Sequence, residues 1–200
     1  MVQARADRIV DAAIALGEER GWENVRLYLV AERLGIGLGE IARHFRDLDA
    51  VADAWFERAR QTLMRVAPTS LAGKPPPERL HTVMMTWFDA LATHHAVTVQ
   101  MLDAKLYLSH PHHWVPMIFD LSRLMHDFLD TARIASTGRR RQLAEVGLTL
   151  IFLATLRDWR RRPERASERL SRRLLAADRR LAKLNQGRNP RRSHAAAEAR

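Results

Sequence analysis

Apolar residues recur at intervals of three and four positions along most of the chain, which is the spacing of one face of an α-helix. The first such stripe covers 4–19, with Ile9, Ala13 and Leu16 on a common face. No segment alternates apolar and polar residues as a half-buried strand would. The pattern therefore predicts an all-α protein of about nine helices.

Two short helices separated by a tight turn are predicted next, over 27–34 and 38–44. Ala31 is small enough to lie where two helices touch, and Gly35 stands where a helix often ends in the left-handed conformation. Ile41 is placed to anchor the second helix from inside. A helix-turn-helix requires these residue types in this order, so the segment predicts a DNA-reading head.

Longer apolar stripes follow along the rest of the chain. They predict helices over 48–67, 78–94, 96–108, 117–135, 139–162 and 164–184. Between them, the proline-rich segment 68–77 predicts a linker and the segment 109–116 predicts a loop. We therefore expect a helix-turn-helix domain over residues 1–67, a second helical domain over 78–184 and a basic mobile tail over 185–200.

Methionine and aromatic residues are concentrated in the second predicted domain, where five of the seven Met lie between Met84 and Met125. Thioethers and aromatic rings form adaptable apolar walls, so one interpretation is a pocket for a hydrophobic small molecule such as an acyl chain. The other interpretation is a filled helical core, which uses the same residue types. The candidate ligand-binding residues are Met84, Trp87, Phe88, Leu91, Met101, Tyr107, Trp114, Met117, Leu121 and Phe128.

The formal net charge of +10 is distributed unevenly along the chain. Residues 1–60 carry nine Arg against eleven Asp or Glu, whereas residues 138–200 carry eighteen Arg or Lys against six Asp or Glu. Eight Arg fall between Arg157 and Arg173. A solvated helix face with intrahelical acidic partners is the more usual meaning of such a run, and contact with nucleic acid or a membrane surface is the alternative.

Several function classes are not supported by the composition. The absence of Cys excludes disulfides and thiolate chemistry, and the first residues lack the apolar core of a signal peptide, which favours a cytoplasmic protein. No segment is apolar for long enough to span a membrane. The group His110, His112 and His113 has no carboxylate or Cys partner, so no metal site is predicted. No catalytic constellation occurs, and we expect neither an enzyme nor a cofactor.

The segment 8–51 resembles, without gaps, the DNA-binding head of the TetR/AcrR family of transcriptional regulators. The matching positions are Ile9, Ala12, Ala13, Leu16, Gly21, Val30, Ala31, Gly35, Ile36, Gly39, Ile41, His44, Phe45, Asp49 and Val51. The chain departs from the family pattern at a few positions. The family's Phe is replaced by Gly17 and its Thr by Arg26. Its Ser is replaced by Gly37, its Tyr by Ala42 and its Lys by Leu48.

The resemblance implies a ligand-responsive regulator, most often a repressor, that binds palindromic double-stranded operator DNA. The second helix of the helix-turn-helix would enter the major groove of the DNA. The residues implied in DNA contact are Arg26, Gly37, Leu38, Gly39, Glu40, Arg43, His44 and Arg46. The family's Thr, Ser, Tyr and Lys at the departing positions mostly contact phosphates, so a TetR-like protein that carries a lipid or quinone-like molecule without binding DNA stays an alternative.

The resemblance also implies a homodimer formed through the last two helices, 139–162 and 164–184. The last of them carries a heptad-like seam with spacings of four and three, which one short helix cannot bury alone. The seam consists of Leu170, Leu174, Ala177, Leu181 and Leu184. The C-terminal part is also similar to the ubiquinone-biosynthesis accessory family, although Trp159 is followed by three Arg where that family has acidic and Ser positions.

Overall fold

The computed structural model describes residues 2–105, 114–135 and 138–187, and within these ranges the protein is helical with no strand. The helices are α1 (Val2–Arg20), α2 (Leu27–Leu34), α3 (Leu38–Ala42), α4 (Leu48–Met64), α5 (Pro68–Leu71), α6 (Pro76–Ala92), α7 (His95–Lys105), α8 (Trp114–Thr131), α9 (Gly138–Arg161) and α10 (Ala166–Gly187). The all-α prediction is confirmed. The described ranges hold ten α-helices and not about nine, because α5 was not predicted.

Helices α1 to α4, which we call the head, pack around a small apolar core. Ile9, Ala13, Ile41 and Val51 are fully buried in it. Gly35 ends α2 with φ 64°, a left-handed conformation that glycine adopts without strain. The predicted helix-turn-helix is therefore present, although its second helix is shorter than the expected 38–44.

The absence of a Phe at position 17 has a packing explanation. A Cβ atom placed on Gly17 would lie 2.9 Å from Cγ1 of Val97 in α7 and 3.3 Å from Cε3 of Trp22. Helix α7 thus approaches the backbone of α1 directly, and Val97 and Trp22 fill the space that a side chain at position 17 would need.

Helices α6 to α10, which we call the body, are centred on α6. This helix packs against α4, α8 and α10, and its apolar residues Val83, Met84, Trp87, Phe88 and Leu91 are all buried. Three and four residues separate most of these positions, so they form one face of the helix. The centre of the body is therefore built around a single amphipathic helix.

Polar bonds join the body to the head. Trp55 Nε1 in α4 donates to Thr98 Oγ1 at 3.0 Å, and the backbone N–H of Trp22 donates to Gln100 Oε1 at 2.6 Å. Arg60 Nη1 donates to Asp127 Oδ2 in α8 at 2.9 Å. Hydrogen bonds between buried and partly buried groups fix orientation, so the head is held at a defined angle to the body.

The proline-containing segments differ from the prediction. The expected linker 68–77 contains the one-turn helix α5, and Pro76 and Pro77 open α6. The expected loop 109–116 is wrong at its end, because Trp114 to Pro116 begin α8. Proline is tolerated in the first turn of a helix, where its missing N–H has no partner to lose.

The C-terminal predictions also need correction. In the heptad-like seam, Leu170 and Leu174 are buried within their own chain, while Leu181 is exposed. Helix α10 continues to Gly187, so the first residues of the expected tail are helical. The remaining part, 188–200, lies outside the described residues, as does the group His110, His112 and His113.

Candidate functional site

Helix α3 presents an open surface at the helix-turn-helix. Ile41 is buried beneath it, whereas Leu38 and Gly39 are exposed. Apart from the adjacent residues and the backbone of its own helix, no atom of the described residues lies within 4 Å of a Cβ placed on Gly37 or Gly39. Packing within the chain therefore does not require glycine at these positions, and a partner molecule can approach the backbone closely there.

Glu40 is the centre of a charged network on α3. Its carboxylate accepts hydrogen bonds from Arg5 Nη1 at 2.7 Å and from Arg43 Nη1 at 2.8 Å, and His44 Nε2 lies 3.9 Å away. The hydrogen bond from Arg5 is the main cause that lowers the pKa of Glu40, and the charge of Arg43 contributes. The carboxylate is therefore ionised at neutral pH and offsets part of the positive charge beside it.

The other predicted arginines have different surroundings. The side chain of Arg46 is 82% exposed, with Asp47 Oδ2 2.9 Å from its Nε, and that of Arg43 is 77% exposed. Arg26 Nη1 donates to the carbonyl oxygens of Glu23 and Val25, at 2.6 and 2.7 Å. Arg43 and Arg46 are thus available to a partner, whereas Arg26 stabilises the turn before α2.

Sequence reasoning missed three exposed residues on the head. Arg5 and Arg8 lie one turn apart on α1 and line a small cleft together with Leu34 and Ile36, beside the helix-turn-helix turn. Tyr28 is exposed on α2. The exposure of Tyr28 could have been predicted from its position outside the apolar stripe of α2. The position of Arg5 beside α3 could not, because it depends on tertiary packing.

The candidate ligand-binding residues of α6, α7 and α8 come together in the body. Met84, Trp87, Phe88, Leu91, Met101 and Phe128 are buried, and Leu121 is half-buried. Tyr107 lies outside the described residues, and so do the side chains of Trp114 and Met117. The described members of the candidate set therefore all belong to the apolar core or pack against it.

Aromatic rings from three helices, α6, α8 and α9, meet in this region. The ring of Trp87 is 5.1 Å from that of Phe88 and 5.4 Å from that of Phe152, both edge to face. The ring of Phe88 also lies 5.6 Å from that of Trp159 in α9. The ring of Phe128 in α8 lies 5.9 Å from that of Phe152. These five side chains form what we call the aromatic cluster, and their geometry is that of well-packed rings.

Helix α9 carries a second apolar face that points away from the body. Leu143, Val146, Leu150 and Leu153 follow one another at spacings of three and four, and each is between 45% and 69% exposed. We call these four residues the outer stripe. A row of exposed large apolar side chains is unusual on a monomer and is typical of an interface.

Comparison with known proteins gives no match to any protein-family model or curated protein, but it gives clear matches among solved structures. The TetR transcriptional regulator from Nitrosomonas europaea ATCC 19718 is 34% identical, with a TM-score of 0.77, over 88% of this chain and 98% of that one. The chain belongs to the TetR family of transcriptional regulators. The resemblance found in the head is thereby confirmed over nearly the whole chain.

More distant members of the TetR family share the fold. A TetR transcriptional regulator from Rhodococcus sp. RHA1 is 18% identical with a TM-score of 0.63, over 86% of this chain and 95% of that one. Thermus thermophilus FadR, a TetR-family repressor in complex with lauroyl-CoA, is 20% identical with a TM-score of 0.59, over 84% and 91%. Among the described helices of this TetR-family chain, none combines the length and apolar content that a bilayer crossing needs.

Proposed function

We propose that this TetR-family regulator is a ligand-responsive repressor that binds palindromic operator DNA as a homodimer. The observation that carries the proposal is the surface of α3, which has an open, glycine-containing start, a buried Ile41, and two exposed arginines after its end. Such a helix can enter the major groove while the arginines reach phosphates or base edges.

DNA binding can be tested by gel shift and fluorescence anisotropy with the promoter region of the protein's own gene. Replacing Arg43 and Arg46 by Ala should weaken binding and lower the slope of log affinity against log salt by about one per lost phosphate contact. Arg65→Ala is the matched control, because Arg65 is exposed at the far end of α4. Absence of retention by the native protein at low salt, on promoter and random DNA alike, would exclude the repressor function.

The outer stripe of α9 supports the proposed homodimer. Two copies related by a twofold axis would bring their outer stripes together and remove them from water. Leu175 and Leu181 of α10 are also exposed. Sedimentation equilibrium at micromolar concentration should give a dimer, and a monomer would contradict the proposal.

The aromatic cluster is the proposed site of a hydrophobic small molecule, and Tyr107, Trp114 and Met117 remain candidate ligand-binding residues from the sequence alone. Its described residues are tightly packed, so a ligand would have to favour a conformation in which some of these rings move apart. A ligand that prefers this conformation would shift the angle of the head through α4, which contacts the cluster at Phe56 and Trp87, 6.5 Å apart.

This part of the proposal can be tested by thermal shift and native mass spectrometry with long-chain acyl and isoprenoid compounds. Binding at a hundredfold excess over the dissociation constant stabilises a protein by about 2.7 kcal/mol. We expect Trp87→Ala to remove this shift, and Leu63→Ala, at a buried position of α4, to retain it. No shift and no bound mass with any compound would mean that these residues form only a core.

A further inference from the structure

The end of α9 and the first half of α10 enclose an open groove whose walls are formed mainly by arginine. It has a volume of about 350 Å³ and is lined by Arg157, Asp158, Arg169, Arg172, Arg173 and Ala176. Neither the surface of α3 nor the aromatic cluster includes any of these residues. We call it the arginine groove, and the proposed function gives it no role.

Asp158 fixes two of the four arginines in place. Only 5% of Asp158 is exposed, and its carboxylate accepts from Arg169 Nη1 at 2.7 Å and from Arg173 Nη2. Arg173 Nη1 also donates to Thr155 Oγ1 at 3.3 Å. A guanidinium group has five N–H donors, so both arginines keep donors for a ligand after these bonds are made. A surface row of solvated arginines would not be anchored to a buried carboxylate in this way.

The other two arginines have weak partners or none. Arg172 Nη2 lies 3.6 Å from a carboxylate oxygen of Glu168, and both side chains are mostly exposed. The side chain of Arg157 makes no hydrogen bond or ion pair with any residue that the structure describes. Four guanidinium groups and one carboxylate leave the groove with a charge of +3. Like charges at this proximity repel one another, and an anion in the groove would relieve that repulsion.

The charge and the geometry indicate a particular class of anion. Planar guanidinium groups match the oxygen atoms of phosphate in pairs, which ammonium groups do not. One phosphate monoester carries a charge of about −1.5 to −2 at neutral pH, so a charge of +3 is matched by two phosphoryl groups. We propose that the arginine groove binds a small molecule that contains a diphosphate group, separately from the DNA surface and the aromatic cluster.

The groove lies at one end of the proposed dimer face. Arg157 follows Leu153 at a spacing of four and so continues the outer stripe of α9. A bound diphosphate would neutralise charge where two copies of α9 approach each other. We therefore expect it to raise the stability of the dimer as well as that of the single chain.

The test is a thermal melt of the full chain with sodium pyrophosphate, and with sodium chloride and sodium sulfate at the same ionic strength. A specific site gives a saturable rise in the melting temperature of about 5–10 °C at a hundredfold excess over the dissociation constant. A rise of equal size with chloride or sulfate would overturn the proposal, because it would show only screening or general anion binding.

Two double variants distinguish an effect of the arginine groove from an effect of overall charge. The double variant Arg157→Gln, Arg172→Gln removes the two guanidinium groups that do not bind Asp158, so the fold should be retained. This variant should show no rise in melting temperature with pyrophosphate. Arg179→Gln with Arg180→Gln makes the same change of charge on an exposed part of α10 outside the groove and should retain the rise. Equal behaviour of the two pairs would overturn the proposal.

Two further measurements distinguish the possible sources of the anion. If adenosine diphosphate produces the rise and competes with pyrophosphate, the groove accepts a nucleoside diphosphate. Promoter DNA and vesicles that contain phosphatidic acid are tested with both variant pairs. The proposal would be overturned in favour of a macromolecular or membrane contact by two results together. The native protein would not respond to pyrophosphate, and only the variant Arg157→Gln, Arg172→Gln would lose binding to DNA or vesicles.

Discussion

Helices α6 and α9 carry apolar stripes of the same spacing, yet one is buried and the other is exposed. The stripe of α6, from Val83 to Leu91, lies entirely inside the body. The outer stripe of α9 faces away from every described helix, because Leu148, Phe152 and Trp159 on its opposite side are the residues that enter the core. Helix α9 is therefore apolar on two faces, and the fold of one chain uses only one of them.

This difference gives the two apolar stripes different expected roles. Apolar area removed from water stabilises a fold by roughly 25 cal/mol per Å², and the outer stripe gains nothing of this in a single chain. The stripe of α6 should therefore determine the stability of the chain, and the outer stripe should determine its association. The substitutions below test this division, from the largest expected effect to the smallest.

Leu150→Glu should convert the proposed dimer into a folded monomer. The twofold axis would place two carboxylates in the apolar interface, and burying unpaired charges costs several kcal/mol each, so the dissociation constant should rise on the order of 1,000-fold or more. Sedimentation equilibrium measures the association and far-ultraviolet circular dichroism confirms the helical content. A variant that remains dimeric would show that the outer stripe is not the interface.

Phe88→Ala should lower the free energy of unfolding by about 3–5 kcal/mol, because Phe88 is fully buried between Phe152 and Trp159. Urea denaturation is best followed in the Leu150→Glu monomer, where association does not contribute. Leu143→Ala in the same monomer is the control and should change the free energy by less than about 0.5 kcal/mol. A small loss for Phe88→Ala would indicate a loosely packed aromatic cluster.

Asp158→Asn should lower the free energy of unfolding at pH 7 by about 1.5–3 kcal/mol, because Arg169 and Arg173 lose an ionised acceptor. The hydrogen bond from Arg173 lowers the pKa of Asp158 below its usual value. Its contribution is therefore complete above the unfolded pKa, about 3.9, and is lost as the pH falls through the folded pKa.

The melting temperatures of the native protein and the variant should therefore approach each other as the pH falls below about 4. Thermal melts from pH 7 to pH 3 measure this convergence. A difference that stays constant over this range would mean that the charge of Asp158 does not contribute, and that its effect on stability is only one of packing.

Gly147→Ala should give the smallest effect, a gain of about 0.5–1 kcal/mol in the Leu150→Glu monomer. Gly147 lies inside α9, and a Cβ placed on it meets no atom of another described helix within 4 Å. In the dimer the gain should be smaller if the two α9 helices approach closely at this glycine. Urea denaturation of the two oligomeric forms measures both values.

The sequence was sufficient for features that depend on neighbouring residues. The turn at Gly35 and the spacing from Ala31 to Ile41 predict the helix-turn-helix because their geometry is local. The bond between Arg5 and Glu40 was not predictable, since 35 positions separate the two residues and the packing of α1 against α2, and of α2 against α3, brings them together.

The body was less predictable than the head for a related reason. Periodicity identified α9 and α10 but could not show which of two apolar faces enters the core. It assigned the heptad-like seam of α10 to a dimer, whereas Leu170 and Leu174 pack inside their own chain and Leu181 does not. Proline also signalled breaks at Pro76 and Pro116, where a helix had just begun.

Helix α4 has a mechanical consequence for the spacing of two heads. Its 17 residues span about 25 Å, and the bond from Arg60 to Asp127 holds its far part to the body. A tilt of about 5° around that part displaces the end at Asp47, next to α3, by about 2 Å. In a twofold-symmetric pair the heads would separate by about 4 Å, which exceeds the 3.4 Å rise between successive base pairs. If the chain binds DNA as a dimer as proposed, a rotation of this size would move the two α3 helices out of step with the grooves.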